Sequence, residues 1–435
     1  VCCSSTHSIA SPLHAAHCRL ATRIEAHPTA PDIPMPIVNQ TIAAMQEYAS
    51  KAISAVAKAD PSIVNLSIGE PDFGPPPRLL DAIANEDLGL SAFLSSAKHY
   101  ETTRGAKALR SAVASWYARR HDLDVDPERE ILITHGGVEA VAVALLGTTV
   151  PGDAVGVTDP SYMLYKRAIT TLGRVVLTMP RPPQENEFCA LLEQRTPDRM
   201  RALVVNSPEN PSGYVLTDAD WDAVATLAEA SDAWVIHDEV YDALDFGRPH
   251  RPAWCTPRLR DRTIMINSFS KKFGVPGLRI GWMVAPEQVI DLAGKAHDYL
   301  ILGVNAQYER IARRLLEDPE ADRWLASNRD MIRTRASRGL ETLHAAGFEW
   351  SRRPQGGMFL FPSVRRLHAQ LPVDWRNRYR SAGEAVAAFL LKERRVAVVP
   401  GSVYGESVAD HVRLVLCASD AAFDEGLARL TAGPT

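Results

Sequence analysis

The spacing of hydrophobic positions changes along this chain, and each change predicts a different kind of structure. Between Ile37 and Lys58 the apolar positions Ile42, Met45, Ala49, Ile53 and Val56 recur at helical spacing, and Asp60-Pro61 closes the helix they predict. Ile63-Val64-Asn65-Leu66 reads as a short strand. Irregular backbone set by Gly and Pro follows, at Gly69-Glu70-Pro71-Asp72-Phe73 and Pro75-Pro76-Pro77. From about residue 105, short apolar runs alternate with helical stretches. The predicted strands are Ile131–Thr134, Val155–Thr158, Arg174–Leu177, Ala202–Val205, Trp234–His237 and Ile264–Ile266, and Thr217 to Ser231 is a representative helix between them. Strands that are apolar on both faces and separated by helices predict a mostly parallel sheet covered on both sides. A long helical region from about Glu287 to Leu343 and an α+β tail complete the pattern. The tail's strands are expected at Gly357–Phe361, Val396–Val399 and Val412–Leu416. The expected organisation is a large domain of residues 80–320 and a smaller α+β domain of residues 321–435, joined by the segment 35–79.

Composition narrows the function classes. Of 435 residues, 46% are hydrophobic and 23% charged, as in an ordinary globular protein, and a formal net charge of −4 gives no electrostatic footprint for nucleic acid. No apolar run approaches the roughly 18 residues of a membrane span. Cys2, Cys3 and Cys18 lie near the start while Cys189, Cys255 and Cys417 are scattered, without metal-ligand spacing, which reads as a reduced, cytoplasmic enzyme with no metal. Residues 1–34 are rich in Ser, His, Ala and Pro and begin with Val. A targeting peptide would match that composition, but Arg19 and Arg23 are its only firm positive charges and Pro12, Pro28 and Pro31 interrupt any long helix. The segment reads as a disordered or spurious extension, with folded sequence from near Met35.

The chemistry concentrates in Ser268-Phe269-Ser270-Lys271-Lys272-Phe273-Gly274-Val275-Pro276-Gly277-Leu278-Arg279-Ile280-Gly281. A strand is predicted on each side, Ile264-Met265-Ile266 before and Leu278 to Trp282 after. A lysine between buried strands loses hydration, which lowers its pKa and frees the amine to form a Schiff base. Two hydroxyls and an arginine beside it suit a phosphate dianion. Together they point to an aldehyde cofactor carrying a phosphate, for which pyridoxal 5'-phosphate (PLP) is the candidate.

This segment resembles the cofactor-lysine motif of fold-type I PLP enzymes, the class I/II aminotransferases (aspartate aminotransferase-like) in particular. The resemblance selects Lys271 over Lys272, because only Lys271 has Arg279 at the family's offset. Further motifs follow in the family's order from about residue 63 to 417. It implies a cradle for the cofactor phosphate at Gly136-Gly137-Val138, completed by Ser268, Ser270 and Arg279. It places Tyr162 on the pyridine face, Asn210 and Tyr241 on the phenolic oxygen, and Asp238 on the ring nitrogen. It gives Arg413 the substrate α-carboxylate, with Gly69 and Asn210 beside it, and has Tyr100 reach a neighbouring subunit's phosphate. The implied fold is the PLP-dependent transferase fold, and the implied assembly is a homodimer with shared active sites.

The implied reaction is ping-pong transfer of an amino group between an L-amino acid and a 2-oxo acid, with Lys271, Asp238 and Tyr241 as catalytic residues. A C–S β-lyase, an aminocyclopropane-carboxylate synthase-like enzyme or a natural-product enzyme on the same scaffold would use the same electron sink and base, so the motifs leave that alternative open. A regulator with an aminotransferase-like effector domain would need a basic DNA-binding module that the segment before residue 63 does not supply. His237-Asp238-Glu239 could be mistaken for metal ligands, and Arg104 is a candidate for a side-chain carboxylate of the substrate.

Overall fold

The computed structural model describes residues 38–84, 88–181, 183, 186–193 and 200–432. The extension 1–34, with Cys2, Cys3 and Cys18, lies outside the described residues. The chain falls into two units, Val1–Ala43 and Ala44–Thr435. In the first, a single helical turn is described, Gln40–Ala43; the second carries everything that follows.

Among the described residues, twelve strands are formed: β1 Val64–Asn65, β2 Ile131–Thr134, β3 Ala154–Asp159, β4 Val175–Pro180, β5 Met200–Asn206, β6 Trp234–Asp238, β7 Thr263–Ser268, β8 Gly281–Val284, β9 Phe359–Leu360, β10 Val396–Ala397, β11 Val399–Pro400 and β12 Val412–Val415. Seven of them make one sheet in the order β2-β8-β7-β6-β5-β3-β4. The pairings β3·β4, β3·β5, β5·β6 and β6·β7 are parallel, and β8 runs antiparallel to both neighbours. The mostly parallel sheet read from the apolar runs is therefore present, with one reversed strand.

Side chains alternate across this sheet. Leu132, Val155, Val157, Ala202, Val204, Ile236 and Ile264 face one side, against Val141, Ala144 and Leu145 of the 137–148 helix and Val289 and Ile290 of the 287–301 helix. Ile131, Ile133, Met265 and Trp282 face the other, against Leu109, Val113 and Trp116 of the 107–121 helix and Leu315 of the 306–317 helix. Leu203, Val205 and Val235 on that second side meet Trp221, Val224 and Leu227 of the 218–231 helix. That helix starts at a capping box, with Thr217 accepting from the Asp220 backbone N–H and the Asp220 carboxylate accepting from that of Thr217.

A second core gathers Leu66, Phe359, Leu360, Val396, Val412 and Leu414 against Ile332 and Leu343 of the 321–345 helix, Val386 of the 382–393 helix and Phe423 and Leu427 of the 420–431 helix. Here β1 pairs in parallel with β10, and β9, β12 and β11 form an antiparallel sheet. Chain from before residue 79 thus packs with chain from after 321.

Three expectations need correction. The Ile37–Lys58 helix is interrupted: its second part is Ala49–Ala59, and Tyr48 before it is extended (φ −68°, ψ 99°), its hydroxyl bonded to that of Tyr162 at 2.6 Å. The strand expected from Leu278 begins only at Gly281, because Arg279 is left-handed with φ 55°. The strand expected over Val396–Val399 is two, β10 paired with β1 and β11 paired with β12, whereas the helical region expected over 287–343 is present, as the helices Glu287–Ile301, Ala306–Glu317 and Ala321–Ala345.

Gly281 shows how tightly β8 packs against the loop beside it. A Cβ there would lie 2.7 Å from the Asn267 carbonyl oxygen and 2.9 Å from the backbone of both Gly136 and Gly137. Backbone cannot swing aside as a side-chain end can, so Gly281→Ala is expected to destabilise the protein by about 1–3 kcal/mol in denaturant unfolding. Gly74→Ala, with nothing within 4 Å of the added carbon, is the control and is expected to change stability by less than about 0.5 kcal/mol. Equal effects of the two substitutions would contradict this packing.

Candidate active site

A cavity of about 650 Å³ opens where the carboxyl ends of the large sheet meet the second core. Ligands of open α/β sheets sit at such ends. Turns after β2, β3, β5, β6 and β7 bring Gly137, Val138, Tyr162, Asn210, Asp238, Tyr241, Ser268, Ser270, Lys271 and Arg279 to the cavity wall, and the second core adds Gly69, Phe359 and Arg413. Gly136 lies just behind the wall. Its φ is +80°, and a Cβ there would come within 2.6 Å of an Arg279 Nη, so a glycine is needed for the guanidinium to pack on this turn.

The Lys271 amine donates to the Gly69 carbonyl at 2.6 Å. Burial lowers its pKa below the ordinary lysine value, and the Arg413 and Arg279 charges push the same way. Its neighbour Lys272 points elsewhere. It is fully buried, ion-paired to Asp242 at 2.7 Å, with its ammonium 4.7 and 4.8 Å from the ring centres of Trp116 and Trp282. Adjacent lysines thus separate into one at the cavity and one inside the fold.

Asp238 ends β6 and is buried, and burial raises its carboxyl to about 6. Hydrogen bonds from the Tyr165 hydroxyl at 2.5 Å and the Val240 N–H at 3.2 Å partly oppose that shift. Both partners are neutral donors.

Arg413, on β12, is almost fully buried. Its partners are neutral acceptors: the Asn210 side-chain oxygen at 3.1 Å, the Ser67 carbonyl at 2.7 Å and the Ser50 hydroxyl at 3.4 Å. The guanidinium lies 4.4 Å from the Phe359 ring centre, and its Nε is buried without a partner. A buried cation with neutral neighbours and a spare donor is suited to an incoming carboxylate. Asn210 uses its oxygen on Arg413, and its backbone N–H donates to Asn206 Oδ1 at 2.7 Å. Ser268 and Ser270 hydrogen-bond each other at 2.9 Å beside the cavity.

Two expected residues lie elsewhere in the single chain. Tyr100 is 82% exposed and is not part of the cavity wall. Arg104 is occupied by Asp291 and the Glu128 carbonyl, also away from the cavity, so it cannot serve a substrate carboxylate there. His237, Glu239 and His250 cluster behind the sheet end, but the Glu239 carboxylate already accepts from Tyr117, and His250 Nε2 lies 2.9 Å from it. His237 Nδ1 accepts from the Ala253 N–H at 3.4 Å.

Sequence reasoning missed Tyr165, Tyr48 and Ser50. Tyr165 follows Tyr162 by three residues at a helix start, a spacing that puts both on one face, so the pair could have been read together. Tyr48 and Ser50 come from a segment whose apolar spacing marks only a helix, and nothing local ties them to Tyr162 or Arg413.

A family model for aminotransferase class I and II matches residues 61–430. The chain is 33% identical over 374 residues to an arginine–pyruvate transaminase of Pseudomonas aeruginosa, covering 84% of this chain and 88% of the relative. It is 31% identical over 409 residues to a probable N-succinyldiaminopimelate aminotransferase of Mycobacterium tuberculosis, covering 90% and 98%. The solved structure of N-succinyldiaminopimelate aminotransferase from Mycobacterium tuberculosis superimposes with a TM-score of 0.80 at 30% identity, over 91% of this chain and 99% of that one. Aspartate aminotransferase from Thermus thermophilus gives 0.80 at 28% identity over the same shares. With that fold and that match along most of its length, the chain belongs to the class I and II aminotransferases, PLP-dependent enzymes that move an amino group between an amino acid and a 2-oxo acid.

Proposed function

We propose that Lys271 carries PLP as a Schiff base in this cavity and that the residues around it divide the work of transamination. The observation behind this reading is that a lysine amine of lowered basicity, a buried carboxylate with neutral partners and two guanidinium groups line or adjoin one cavity. Arg279 packed on Gly136, the Ser268 and Ser270 hydroxyls and the first N–H groups of the 137–148 helix, at Gly137 and Val138, offer the charge and donors that a phosphate dianion needs. Tyr162 is assigned to the ring face, Asn210 and Tyr241 to the phenolic oxygen, and Asp238 to the ring nitrogen.

When bound, the cofactor supplies the electron sink that stabilises the carbanion left after the amino acid loses its α-proton. Asp238, once ionised, keeps a proton on the ring nitrogen through a charge-assisted hydrogen bond. The Lys271 amine takes and returns the α-proton, and its desolvation makes the neutral base available at lower pH than for a lysine in water. Arg413 receives the α-carboxylate in two-point fashion, with Asn210 and the Gly69 backbone beside it, and so orients the Cα–H bond toward the base.

The same reading makes the enzyme a homodimer with shared active sites. Tyr100 is exposed, and the apolar side chains of Leu90, Leu94, Tyr299, Leu300 and Leu302 are exposed on the adjoining segments, where Thr103 bonds Asp298 and Phe93 packs on Tyr308. A second copy would cover this face and receive Tyr100 at its phosphate. The division into residues 80–320 and 321–435, with 35–79 joining the latter, is part of this proposal. So is a cytoplasmic setting, which the free thiols of Cys189, Cys255 and Cys417 suit. Among the described residues, no helix is long and apolar enough to cross a membrane.

Lys271→Ala is expected to remove the visible absorption of the bound cofactor and the transaminase activity together. An active variant with an unchanged spectrum would contradict the assignment. Arg413→Lys, which cannot offer two parallel donors, should raise KM for the amino acid by roughly 10–100-fold with a smaller change in kcat. An unaltered KM in steady-state assays would remove Arg413 from the carboxylate site.

Asp238 gives a pH prediction for the cofactor-free protein. Its carboxyl is raised to about 6 by burial from an ordinary 3.8. Between those values the unfolded state binds fewer protons than the native one, so stability falls as pH rises through the window. The cost is absent below about pH 4 and complete above about pH 6, on the order of 2–3 kcal/mol. Unfolding free energies of Asp238→Asn minus wild type should therefore increase by that amount between pH 4 and 6.5. A pH-independent difference would contradict the burial argument.

A further inference from the structure

Asn210 is preceded by a residue whose chemistry is out of place on a cavity-lining turn. Glu209 is a carboxylate with a side chain only 3% exposed, paired with Arg181, which is 0% exposed. Arg181 follows β4 and also ion-pairs with Glu187, so one guanidinium joins two carboxylates. A second guanidinium, Arg352, meets the other oxygen of Glu187 at 2.6 Å and lies 4.0 Å from the Tyr214 ring centre. Two cations and two anions therefore neutralise one another inside the protein. The second oxygen of Glu209 accepts from the Ser212 hydroxyl, and its backbone N–H and carbonyl bond Tyr214 at 2.8 Å and Gly213 at 2.9 Å.

Every polar group of Glu209 is thus used to fix the turn between Asn206 and Tyr214. Its side chain anchors that turn to β4, whereas Asn210 on the same turn reaches the cavity and holds Arg413. A turn tied only by backbone bonds would let Asn210 drift by the few tenths of an ångström that decide a hydrogen bond. Breaking a buried ion pair on one side leaves an uncompensated charge, so this anchor resists such drift strongly.

We propose that Glu209, acting through Arg181, is a positioning residue that sets the side chain of Asn210 against the cofactor's phenolic oxygen. This rests on the role given to Asn210 above. A donor at that oxygen withdraws the negative charge that would favour a proton on the lysine–cofactor nitrogen. Losing the donor therefore raises the pH midpoint of the holoenzyme's visible-absorption titration. Glu209 touches neither cofactor nor substrate, and its removal moves that midpoint only by moving Asn210.

The test is the absorption titration of wild-type holoenzyme, Asn210→Ala, Glu209→Gln and the double variant. Asn210→Ala should raise the midpoint by roughly half to one pH unit, and Glu209→Gln should raise it by about half of that. In the Asn210→Ala background, Glu209→Gln should add nothing. If Asn210→Ala raises the midpoint and Glu209→Gln does not, the positioning role is overturned and the Asn210 assignment stands. If Asn210→Ala leaves the midpoint in place, the assignment falls and the proposal with it. A Glu209→Gln shift of equal size in both backgrounds also overturns the proposal, because the carboxylate then acts by a route that bypasses Asn210. Should Glu209→Gln not fold, Ser212→Ala carries the test: it removes one hydrogen bond from the same carboxylate and should raise the midpoint slightly, and an unmoved midpoint overturns the proposal.

Discussion

Burial at the carboxyl ends of the large sheet acts in opposite directions on two groups at one cavity. It lowers the basicity of the Lys271 amine and weakens the acidity of the Asp238 carboxyl, whose pKa rises to about 6. Each group alone is destabilising in the empty fold, because a charge taken out of water without a matching partner is costly. The surrounding structure accepts that cost and limits it with neutral hydrogen bonds, from Tyr165 to Asp238 and from Lys271 to the Gly69 carbonyl. A cofactor with an aldehyde at one place and a basic ring nitrogen at another would relieve both groups at once.

Rigidity around the cavity comes from charges that are fully matched. Lys272 and Asp242 pair behind the loop that carries Lys271, and Arg181, Glu187, Glu209 and Arg352 pair beneath the turn that carries Asn210. Such pairs add little net stability compared with apolar packing, but they are directional and expensive to break one-sidedly. Lys272, Asp242 and Glu209 each sit immediately next in sequence to a residue that lines the cavity: Lys271, Tyr241 and Asn210. Lys271 and Lys272 show the division plainly: consecutive ammonium groups, one left able to react and one held between Trp116 and Trp282.

Much of this was legible in the sequence where local pattern and chemistry coincide. The parallel strands appeared as apolar runs because both of their faces are covered, and the Lys271–Arg279 spacing is local enough to read directly. The misses share a physical cause, which is that they depend on contacts between distant segments. Tyr48 interrupts the expected 37–58 helix to reach Tyr162, more than one hundred residues away, and no periodicity records that hydrogen bond. The strand expected at Leu278 starts late because Arg279 takes a left-handed turn to pack on Gly136, a demand set by the opposing loop. Arg104 reads as available to a substrate in the sequence, but Asp291, almost two hundred residues on, pairs with it. Glu209 in the Asn206–Gly213 turn pairs with Arg181, a contact between distant segments that no local pattern records.

The chemistry of this cavity depends on which nitrogen holds the cofactor, and chemical trapping addresses that most directly. Reducing the holoenzyme with borohydride converts an imine to a stable amine, and peptide fragmentation by mass spectrometry then separates the two neighbouring lysines. The phosphopyridoxyl group is predicted on Lys271, with Lys272 unmodified. Finding it on Lys272, or on a lysine away from the cavity, would contradict the arrangement described for this active site.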